Sequence, residues 1–518
     1  MTEVTAMEKL LYEKVLKNIN EGTIYFDDAI ELFESIKNES EKRCELANKI
    51  YHEIGKDLYF DIYIYSYLIQ LKPEKKYVEE LCLLILQTDK LNWKQINFIF
   101  GQISYILFIH SELYDLKTVE LNWRILYKAY EMCKEEMNLE LEPIPENERN
   151  QDLIIVLTEQ FLEVQHGPTK TILDRCYVLQ KIMHKKILLI NTAEAVSTEG
   201  TVPFFDSKSG SYKTELIDNN TVSWKGETFQ FYQCENIMPD IEQMLNLIMT
   251  VQRLKPSMII GVGATGLLSG FINELIPMLD VGVNLSGIEC TLVDYQLVDY
   301  NMLDAVEPIV KAMGKDMSHI IAEKFTFSLR EQTELLTRAD LGINNSAFAM
   351  AVVGGRLDAE IDEQFISFLN DILRDDMLIV IIGKCETLES KILKYPKLQE
   401  HMLYLGFCED VLSRLELCDL YINPIRRGGG TSAVEAMFKG KPVITVNYGD
   451  VATVVGDKFS CKNYVEMGKL IERYYEDKQF YEQQSMLARE TAVICMNSED
   501  EFVRIIGEYG KRMKNYGH

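Results

Sequence analysis

The chain has 518 residues and contains 80 Asp and Glu residues against 54 Lys and Arg residues, which gives a net charge of −26. This length exceeds the capacity of one hydrophobic core, so we expect about two to four domains. The hydrophobic content of 47% is typical of packed globular proteins and excludes a disordered chain. The acidic surface disfavours a nucleic-acid-binding function, because it repels phosphate backbones at long range.

Cysteines and histidines are scattered along the chain without regular spacing. This distribution predicts neither a disulfide framework nor a metal site, and it is typical of a reducing compartment. The N-terminus contains no apolar run, and the most apolar stretch, residues 96–109, is interrupted by Gln102 and Ser104. We therefore predict a cytoplasmic protein with no signal peptide and no integral membrane segment.

Residues 1–145 have the pattern of an all-helical accessory domain. Apolar residues recur at helical spacing in two stretches, which contain Leu10, Leu11, Val15, Leu16 and Ile19, and then Ala29, Ile30, Leu32 and Phe33. Glycine and proline are sparse in this region. The polar, proline-containing stretch 140–152 is the predicted linker to the next region.

Beyond residue 152, short apolar runs alternate with helical patterns. The first unit has predicted strands at 153–157, 187–190 and 258–260, predicted helices at 169–184, 240–254 and 267–279, and a hairpin-like stretch around Asn219 and Asn220. The last third has predicted strands at 349–353, 378–382, 402–405, 420–422 and 443–446, followed by helices from about 464 to 513. Such alternation predicts parallel sheets covered by helices. We predict two Rossmann-like domains, at 150–340 and 345–495, that face a cleft, and a C-terminal helix at 496–518.

The stretch 419–446 is the most informative part of the chain. After a buried strand it reads Asn423-Pro-Ile-Arg426-Arg427-Gly428-Gly429-Gly430-Thr431-Ser432. Glycines allow backbone N–H groups to approach a ligand closely, and a helix N-terminus attracts an anion. The two arginines add guanidinium groups that match phosphate oxygens. This stretch predicts a phosphate site at a helix start near Thr431 or Ser432. An alternative stays open, in which Ser432 and Glu435 form a capping box and the glycines simply turn the chain.

Glu435-Ala436, followed by Gly440-Lys-Pro-Val443, resembles the donor-binding signature of group 1 glycosyltransferases of the GT-B fold. The resemblance implies that Glu435 binds the ribose hydroxyl groups of a nucleotide. The first Glu of that signature falls on Arg427, so the carboxylate usually placed beside the donor sugar is absent. The resemblance covers roughly residues 150–500 and is strongest over 419–446.

Further matches fall on the loops after two other strands of the last third. Residues 352–358 resemble the first strand and loop of the donor domain, where Arg356 matches a basic residue that contacts the diphosphate. The lysine that often follows is absent, since Glu360 and Asp362 lie there. Lys384 follows the next strand and is either a phosphate ligand or an ordinary solvated lysine.

Two motifs lie in the first Rossmann-like unit. The run from His166 to Thr169 resembles the H-P-T stretch of O-GlcNAc transferase-like enzymes, in which the histidine acts as a base or orients a substrate; the alternative is an ordinary helix-start turn. The run Gly261-Val-Gly263-Ala-Thr-Gly266 is a formal G-x-G-x-x-G. We interpret it as a tight turn that lines the cleft, and an NAD-dependent dehydrogenase is a remote alternative. Thr169 and Gly263 are the predicted residues of the loops that contact the acceptor or the donor sugar.

The resemblance as a whole implies a bacterial-type, metal-independent hexosyl- or N-acetylhexosaminyl-transferase. Its donor is expected to be a nucleotide-diphosphate sugar, UDP-linked, with no separate cofactor, and its acceptor a protein or glycan bound partly by the helical domain. The alternative is a non-catalytic GT-B subunit that directs an active transferase. The predicted catalytic residues are His166 and Arg427, and the predicted donor-binding residues are Arg356, Lys384, Asn423, Arg426, Gly428, Gly429, Gly430, Thr431, Ser432 and Glu435. The sugar, the stereochemical outcome and the oligomeric state stay open.

Overall fold

The computed structural model describes residues 13–15, 17, 26–37, 39–52, 54–55, 57–164, 166–195, 197–235, 238–283, 287–329 and 331–516. Within these residues, helices occupy the chain as far as Met137, and two mainly parallel sheets follow. The predicted fold class, a helical region followed by two α/β units, is confirmed. Most of the predicted helical stripe between Leu10 and Ile19 lies outside the described residues.

The helical region contains α1 (Phe26–Ile36), α2 (Ser40–Tyr51), α3 (Leu58–Leu71), α4 (Lys75–Gln87), α5 (Trp93–Ile109) and α6 (Leu116–Met137). Helix α5 begins at a capping box formed by Asn92 and Gln95, and its last turns reach the cleft. Most of these helices bury apolar residues in one hydrophobic core that continues into the first sheet. The stretch predicted as a linker is also packed, since Ile144 is buried and donates its N–H to the Leu275 carbonyl at 2.8 Å.

The first sheet has eight strands in the order β3-β4-β2-β1-β5-β6-β7-β8. Its elements are β1 (Asn150–Thr158), α7 (Gly167–Tyr177), β2 (Lys186–Asn191), β3 (Thr221–Trp224), β4 (Glu227–Gln233), α8 (Ile241–Leu254), β5 (Pro256–Val262), α9 (Leu267–Leu275), β6 (Leu279–Val281), β7 (Tyr295–Asp299), α10 (Leu303–Ala312) and β8 (Ile320–Glu323). The β3–β4 hairpin pairs antiparallel, and the other neighbours pair parallel. Burial on both faces explains the continuous apolar run in β1.

The second sheet has six parallel strands in the order β11-β10-β9-β12-β13-β14. Its elements are β9 (Phe348–Gly354), α11 (Leu357–Glu360), α12 (Glu363–Ile372), β10 (Met377–Gly383), α13 (Leu388–Ile392), α14 (Pro396–Glu400), β11 (Met402–Gly406), α15 (Val411–Leu415), β12 (Leu420–Ile422), α16 (Gly430–Phe438), β13 (Val443–Val446), α17 (Gly449–Val455), β14 (Ser460–Cys461), α18 (Tyr464–Glu476) and α19 (Lys478–Cys495). The order reverses direction at β9 and β12, so the loops after these two strands open a crevice.

The last helix, α20 (Ser498–Tyr516), returns to the first sheet. Its residues Phe502, Ile505 and Tyr509 pack in the same core as strand β1. The Tyr509 hydroxyl donates to the Ile259 carbonyl at 3.3 Å. The C-terminal helix therefore belongs to the packing of the first sheet, and the exact domain boundaries stay a prediction. No helix among the described residues has the length and apolar character needed to cross a bilayer.

Candidate functional site

A cavity of about 1160 Å³ lies between the carboxyl ends of the strands of both sheets, and α5 forms part of its wall. Parallel sheets place ligands at this edge, because strand-to-helix loops and helix N-termini meet there. Eleven predicted site residues line the cavity, namely His166, Gly263, Arg356, Arg426, Arg427, Gly428, Gly429, Gly430, Thr431, Ser432 and Glu435. Most of the residues predicted from separate motifs therefore share one space.

Three predicted site residues are not part of this lining. Asn423 is fully buried, where its amide donates to Thr445 at 3.1 Å and its side-chain oxygen accepts from Arg426 at 2.8 Å. Thr169 is also buried and supports the loop before α7. Lys384 is exposed beyond the end of β10, outside the cavity wall. These positions correct the prediction that the three side chains face the ligand.

The glycine turn before α16 has a conformation that requires glycine. Gly429 has φ of 107°, and a Cβ atom at this position would lie 2.6 Å from the Arg426 guanidinium. The helix begins at Gly430 with Gly429 as a cap that lacks a side-chain bond, so the alternative capping box is wrong. Instead, the Ser432 hydroxyl donates to the Gly429 carbonyl at 3.0 Å. The first backbone N–H groups of α16 therefore have no side-chain cap, and they lie beside the cavity.

The Arg426 side chain holds the turn in place. Its guanidinium is 4% exposed and pairs with Glu360 at 2.7 Å. It also donates to the carbonyl of Val353 at 2.7 Å, the hydroxyl of Tyr421 at 2.9 Å and the side-chain oxygen of Asn423 at 2.8 Å. Four of its five N–H groups are therefore used within the second sheet. We conclude that Arg426 is a scaffold of the loop, which differs from its predicted role as a phosphate ligand.

Two other arginines of the site contact the helical region. The Arg427 guanidinium lies 4.1 Å from the ring centroid of Tyr114 and donates to the Leu107 carbonyl at 3.2 Å. The Arg356 guanidinium lies 4.7 Å from the ring centroid of Phe108. Both aromatic residues also line the cavity. The end of α5 and the turn after it are thus part of the site, which the sequence analysis missed because no local signal links positions so far apart.

Charge at this edge of the second sheet is partly balanced. Glu360 pairs with Arg426 at 2.7 Å and lies 3.3 Å from Arg356. Arg356 keeps about half of its side chain exposed, so it has donors to spare. Glu435 is half-buried in α16 and lines the same cavity. An anion and a polyhydroxyl group are the ligands that this combination of groups suits.

The first sheet contributes a second group of polar residues. The His166 ring lies at the start of α7, where its Nδ1 is 3.0 Å from the Thr169 hydroxyl and burial lowers its pKa. Gly263 lies in the loop after β5 with φ of 62°. Two carboxylates that the sequence analysis did not single out, Glu159 and Glu194, also line the cavity. Glu159 directly follows β1 and Glu194 lies three residues after the end of β2, and this position near a strand end is the signal that was available in the sequence.

Comparisons with known proteins agree with this geometry. Residues 338–491 match the family model of glycosyl transferases group 1. A mutant of the O-GlcNAc transferase of Thermobaculum terrenum superposes with a TM-score of 0.51 at 11% identity, covering 99% of this chain and 99% of that one. A glycosyltransferase from Rickettsia africae gives 0.53 at 11% identity, covering 70% of this chain and 99% of its own. The sucrose-phosphate synthase of Thermosynechococcus elongatus gives 0.51 at 12% identity, covering 70% and 99%.

At the level of sequence, no curated protein matches the chain. The structural likenesses establish the fold, since all of these identities are low. They share the GT-B arrangement of two Rossmann-like units around a cleft, and the family match and the fold together support sugar transfer. The chain therefore has the GT-B fold, and its residues 338–491 match the model of glycosyl transferases group 1.

Proposed function

We propose that this chain transfers a hexosyl or N-acetylhexosaminyl group from a UDP-linked sugar to a protein or glycan acceptor without using a metal ion. The observation that carries the proposal is the glycine turn at the start of α16, which shares one cavity with Glu435 and Arg356. The helix N-terminus and the guanidinium would bind the diphosphate. Glu435 would accept hydrogen bonds from the ribose.

The same groups suit the chemistry of the leaving diphosphate. Negative charge grows on the diphosphate as its bond to the sugar breaks, and preorganised N–H donors stabilise such charge without reorganisation. The backbone N–H groups of residues 429–432 and the side chain of Arg356 line the cavity and would serve this task. Arg427 adds a further cation in the wall of the cavity.

The acceptor would enter beside α5. Residues Phe100, Ser104 and Tyr105 of this helix line the cavity. One structure that matches 99% of this chain is an O-GlcNAc transferase mutant, so UDP-GlcNAc is the first donor to test. In this proposal the helical region contributes directly to the cleft and helps to position a protein or glycan.

A second candidate function is a non-catalytic subunit that directs an active transferase. The observation that favours it is Arg427, which falls on the first Glu of the donor-binding signature that this stretch resembles and is only 9% exposed. Its guanidinium is engaged by Leu107 and Tyr114 of the helical region. A subunit of this kind would bind a nucleotide weakly or not at all.

Isothermal calorimetry and thermal shift with UDP, GDP, UDP-GlcNAc, UDP-glucose and NAD test the proposal. We expect binding of UDP and of at least one UDP-sugar, together with release of UDP during incubation. Glu435→Ala should weaken UDP binding by about 10- to 100-fold, because a hydrogen bond to a charged group contributes about 1.5–3 kcal/mol. Glu389→Ala, which removes an exposed carboxylate from α13, is the matched control. Absence of binding to every uridine nucleotide would favour the non-catalytic subunit, and binding of NAD alone would contradict both functions.

A further inference from the structure

Carboxylates of the protein itself fill the Gly261–Gly266 turn. Glu159, directly after β1, accepts the backbone N–H groups of Thr265 and Gly266, and the Thr265 hydroxyl donates to it at 3.1 Å. Glu194, shortly after β2, accepts the N–H of Leu268 at 3.2 Å in the first turn of α9. A dinucleotide-binding turn would offer these N–H groups to a pyrophosphate. Here they are used internally, so the motif has a different purpose.

Gly266 makes room for one of these carboxylates. A Cβ atom at this position would lie 2.7 Å from the carboxyl carbon of Glu194 and 2.8 Å from both of its oxygens. The backbone conformation is ordinary at this residue, so space and not φ is the reason for glycine. The third glycine of the motif therefore serves to place the Glu194 carboxylate against the start of α9.

Glu194 has one oxygen without a partner. The residue is 6% exposed, and its Oε2 atom is buried and has no hydrogen-bond partner among the described residues. Both oxygens of Glu159, in contrast, accept hydrogen bonds from the turn. A buried carboxylate oxygen without a donor is unfavourable, so this atom needs a proton or a donor from a ligand. Glu194 lines the cavity, and a ligand bound there can supply that donor.

Burial raises the pKa of Glu194 and also raises the pKa of Glu159, because both lie away from water and the charge of Glu194 repels that of Glu159. The N–H groups of Gly266 and Thr265 oppose this rise at Glu159 only in part. At Glu194 the rise is opposed in part by the N–H groups of Leu268 and Leu267 and by the nearby Thr192 hydroxyl. The other titratable groups around the pair are Cys133 of α6, Cys234 after β4, Asp280 of β6 and Lys315, whose charge acts on Asp280. A carboxylate whose pKa is raised toward neutrality is suited to exchange protons.

We propose that Glu194 is the catalytic base of the sugar transfer, and this role rests on the proposed function. The acceptor hydroxyl donates a hydrogen bond to Oε2 of Glu194. Its oxygen then forms a bond to the anomeric carbon of the donor sugar. The bond from that carbon to the diphosphate breaks, its electron pair leaves with the diphosphate, and the hydroxyl proton passes to Glu194. A single displacement of this kind inverts the anomeric configuration.

His166 is the competing base in the same cavity. Its ring is half-buried, and its Nδ1 is engaged with the Thr169 hydroxyl at 3.0 Å. Glu194 and His166 lie in different loops, so separate substitutions distinguish the two candidate bases. Glu163 offers a matched control, since it lies in the loop between Glu159 and His166 but is exposed and outside the cavity wall.

The test uses the full-length chain and measures UDP release from UDP-GlcNAc and UDP-glucose, with water as the acceptor. Glu194→Gln should lower kcat by about 100-fold or more, because general base catalysis contributes about 10²- to 10⁴-fold. The affinity for UDP should change by less than about twofold, as expected when only a transition-state interaction is lost. Glu163→Gln should retain wild-type kcat, and His166→Asn should lower kcat by less than about tenfold.

The pH profile separates a base from a structural residue. The wild-type kcat should rise with pH as Glu194 loses its proton and then reach a plateau, and this rise should be absent from the residual activity of Glu194→Gln. NMR of the released sugar should show an inverted anomeric configuration at first formation. If Glu194→Gln does not fold, Gly266→Ala replaces it, because the added methyl group displaces the carboxylate. This variant should lose at least about tenfold in kcat with unchanged UDP affinity.

Three results would overturn the assignment. The first is a kcat of Glu194→Gln within about threefold of the wild-type value. The second is a pH profile of that variant that matches the wild type, and the third is retention of the anomeric configuration in the released sugar. A wild-type chain that binds UDP but releases none from any donor would refute the proposed function itself, and the assignment with it. That outcome is recognised from the wild type alone, before any variant is measured.

Discussion

Arg426→Ala tests whether this residue is a scaffold of the donor loop. The substitution removes a guanidinium that is 4% exposed and that pairs with Glu360 at 2.7 Å. Removal of one partner of a buried pair destabilises a protein by about 3–5 kcal/mol. Arg356 stays 3.3 Å from Glu360 and shields that carboxylate, so we expect the lower end, about 3 kcal/mol. For a unit of this size the melting temperature should fall by roughly 6–12 °C.

The assay is differential scanning calorimetry combined with hydrogen exchange of peptides from β9 and residues 419–432. Tryptophan fluorescence does not report on this unit, because Trp93, Trp123 and Trp224 all precede it. Arg374→Ala is the matched control, since it removes an exposed arginine that pairs with surface carboxylates and should change stability by less than about 1 kcal/mol. A shift below about 2 °C with a large loss of UDP affinity would refute the scaffold role and make Arg426 a ligand.

Three further variants test other parts of the site. In calorimetry, Gly429→Ala should destabilise the second unit by about 1–3 kcal/mol, because φ is 107° at this residue. The control is Gly507→Ala in α20, where the added methyl group meets no atom within 4 Å and should stabilise the protein by up to about 1 kcal/mol. Tyr114→Ala should lower the affinity for UDP by about tenfold, because it removes the ring that packs against the Arg427 guanidinium. Tyr114→Phe keeps the ring and should leave that affinity unchanged. Glu194→Gln should raise the melting temperature more at about pH 8 than at about pH 5. A raised pKa means that the stability contributed by Glu194 is present below its ordinary pKa and is lost as the pH rises. Equal shifts at both pH values would contradict this sign.

Much of the second unit could be predicted from sequence. The strands β12 and β13 were predicted with their observed bounds, because each is a short apolar run that ends at a turn residue or follows one directly. Strands β6 and β7 were not predicted, since Asp280 and Gln296 interrupt their apolar pattern. Both polar residues are buried. Asp280 accepts the Ala264 N–H at 2.9 Å and Gln296 donates to the Glu289 carbonyl at 3.0 Å, and local patterning carries no sign of these tertiary contacts.

Individual motifs of the candidate site could be predicted from sequence, but the contacts between these motifs could not. Local chemistry indicated the glycine turn as an anion site, and the resemblance to group 1 glycosyltransferases implied the role of Glu435. It treated Arg426 and Arg427 alike, although one is tied to Glu360 and the other lies against Tyr114. That difference depends on contacts between residues far apart in the chain, such as the bond from Arg427 to Leu107. No periodicity or motif reports contacts of this kind.

The position of the helical region changes how its role must be understood. Its helices share one hydrophobic core with the first sheet, and Gln102 of α5 exchanges hydrogen bonds with the backbone of Lys208 at 2.7 and 2.8 Å. The second unit contacts the end of α5 and the turn after it through Arg356 and Arg427. A truncation at residue 145 would expose that shared core and remove the aromatic partners of both arginines. Loss of acceptor use in such a truncated chain would therefore not distinguish a binding role from a structural one. Substitution of single cavity-facing residues on α5 makes that distinction, because the shared core stays intact.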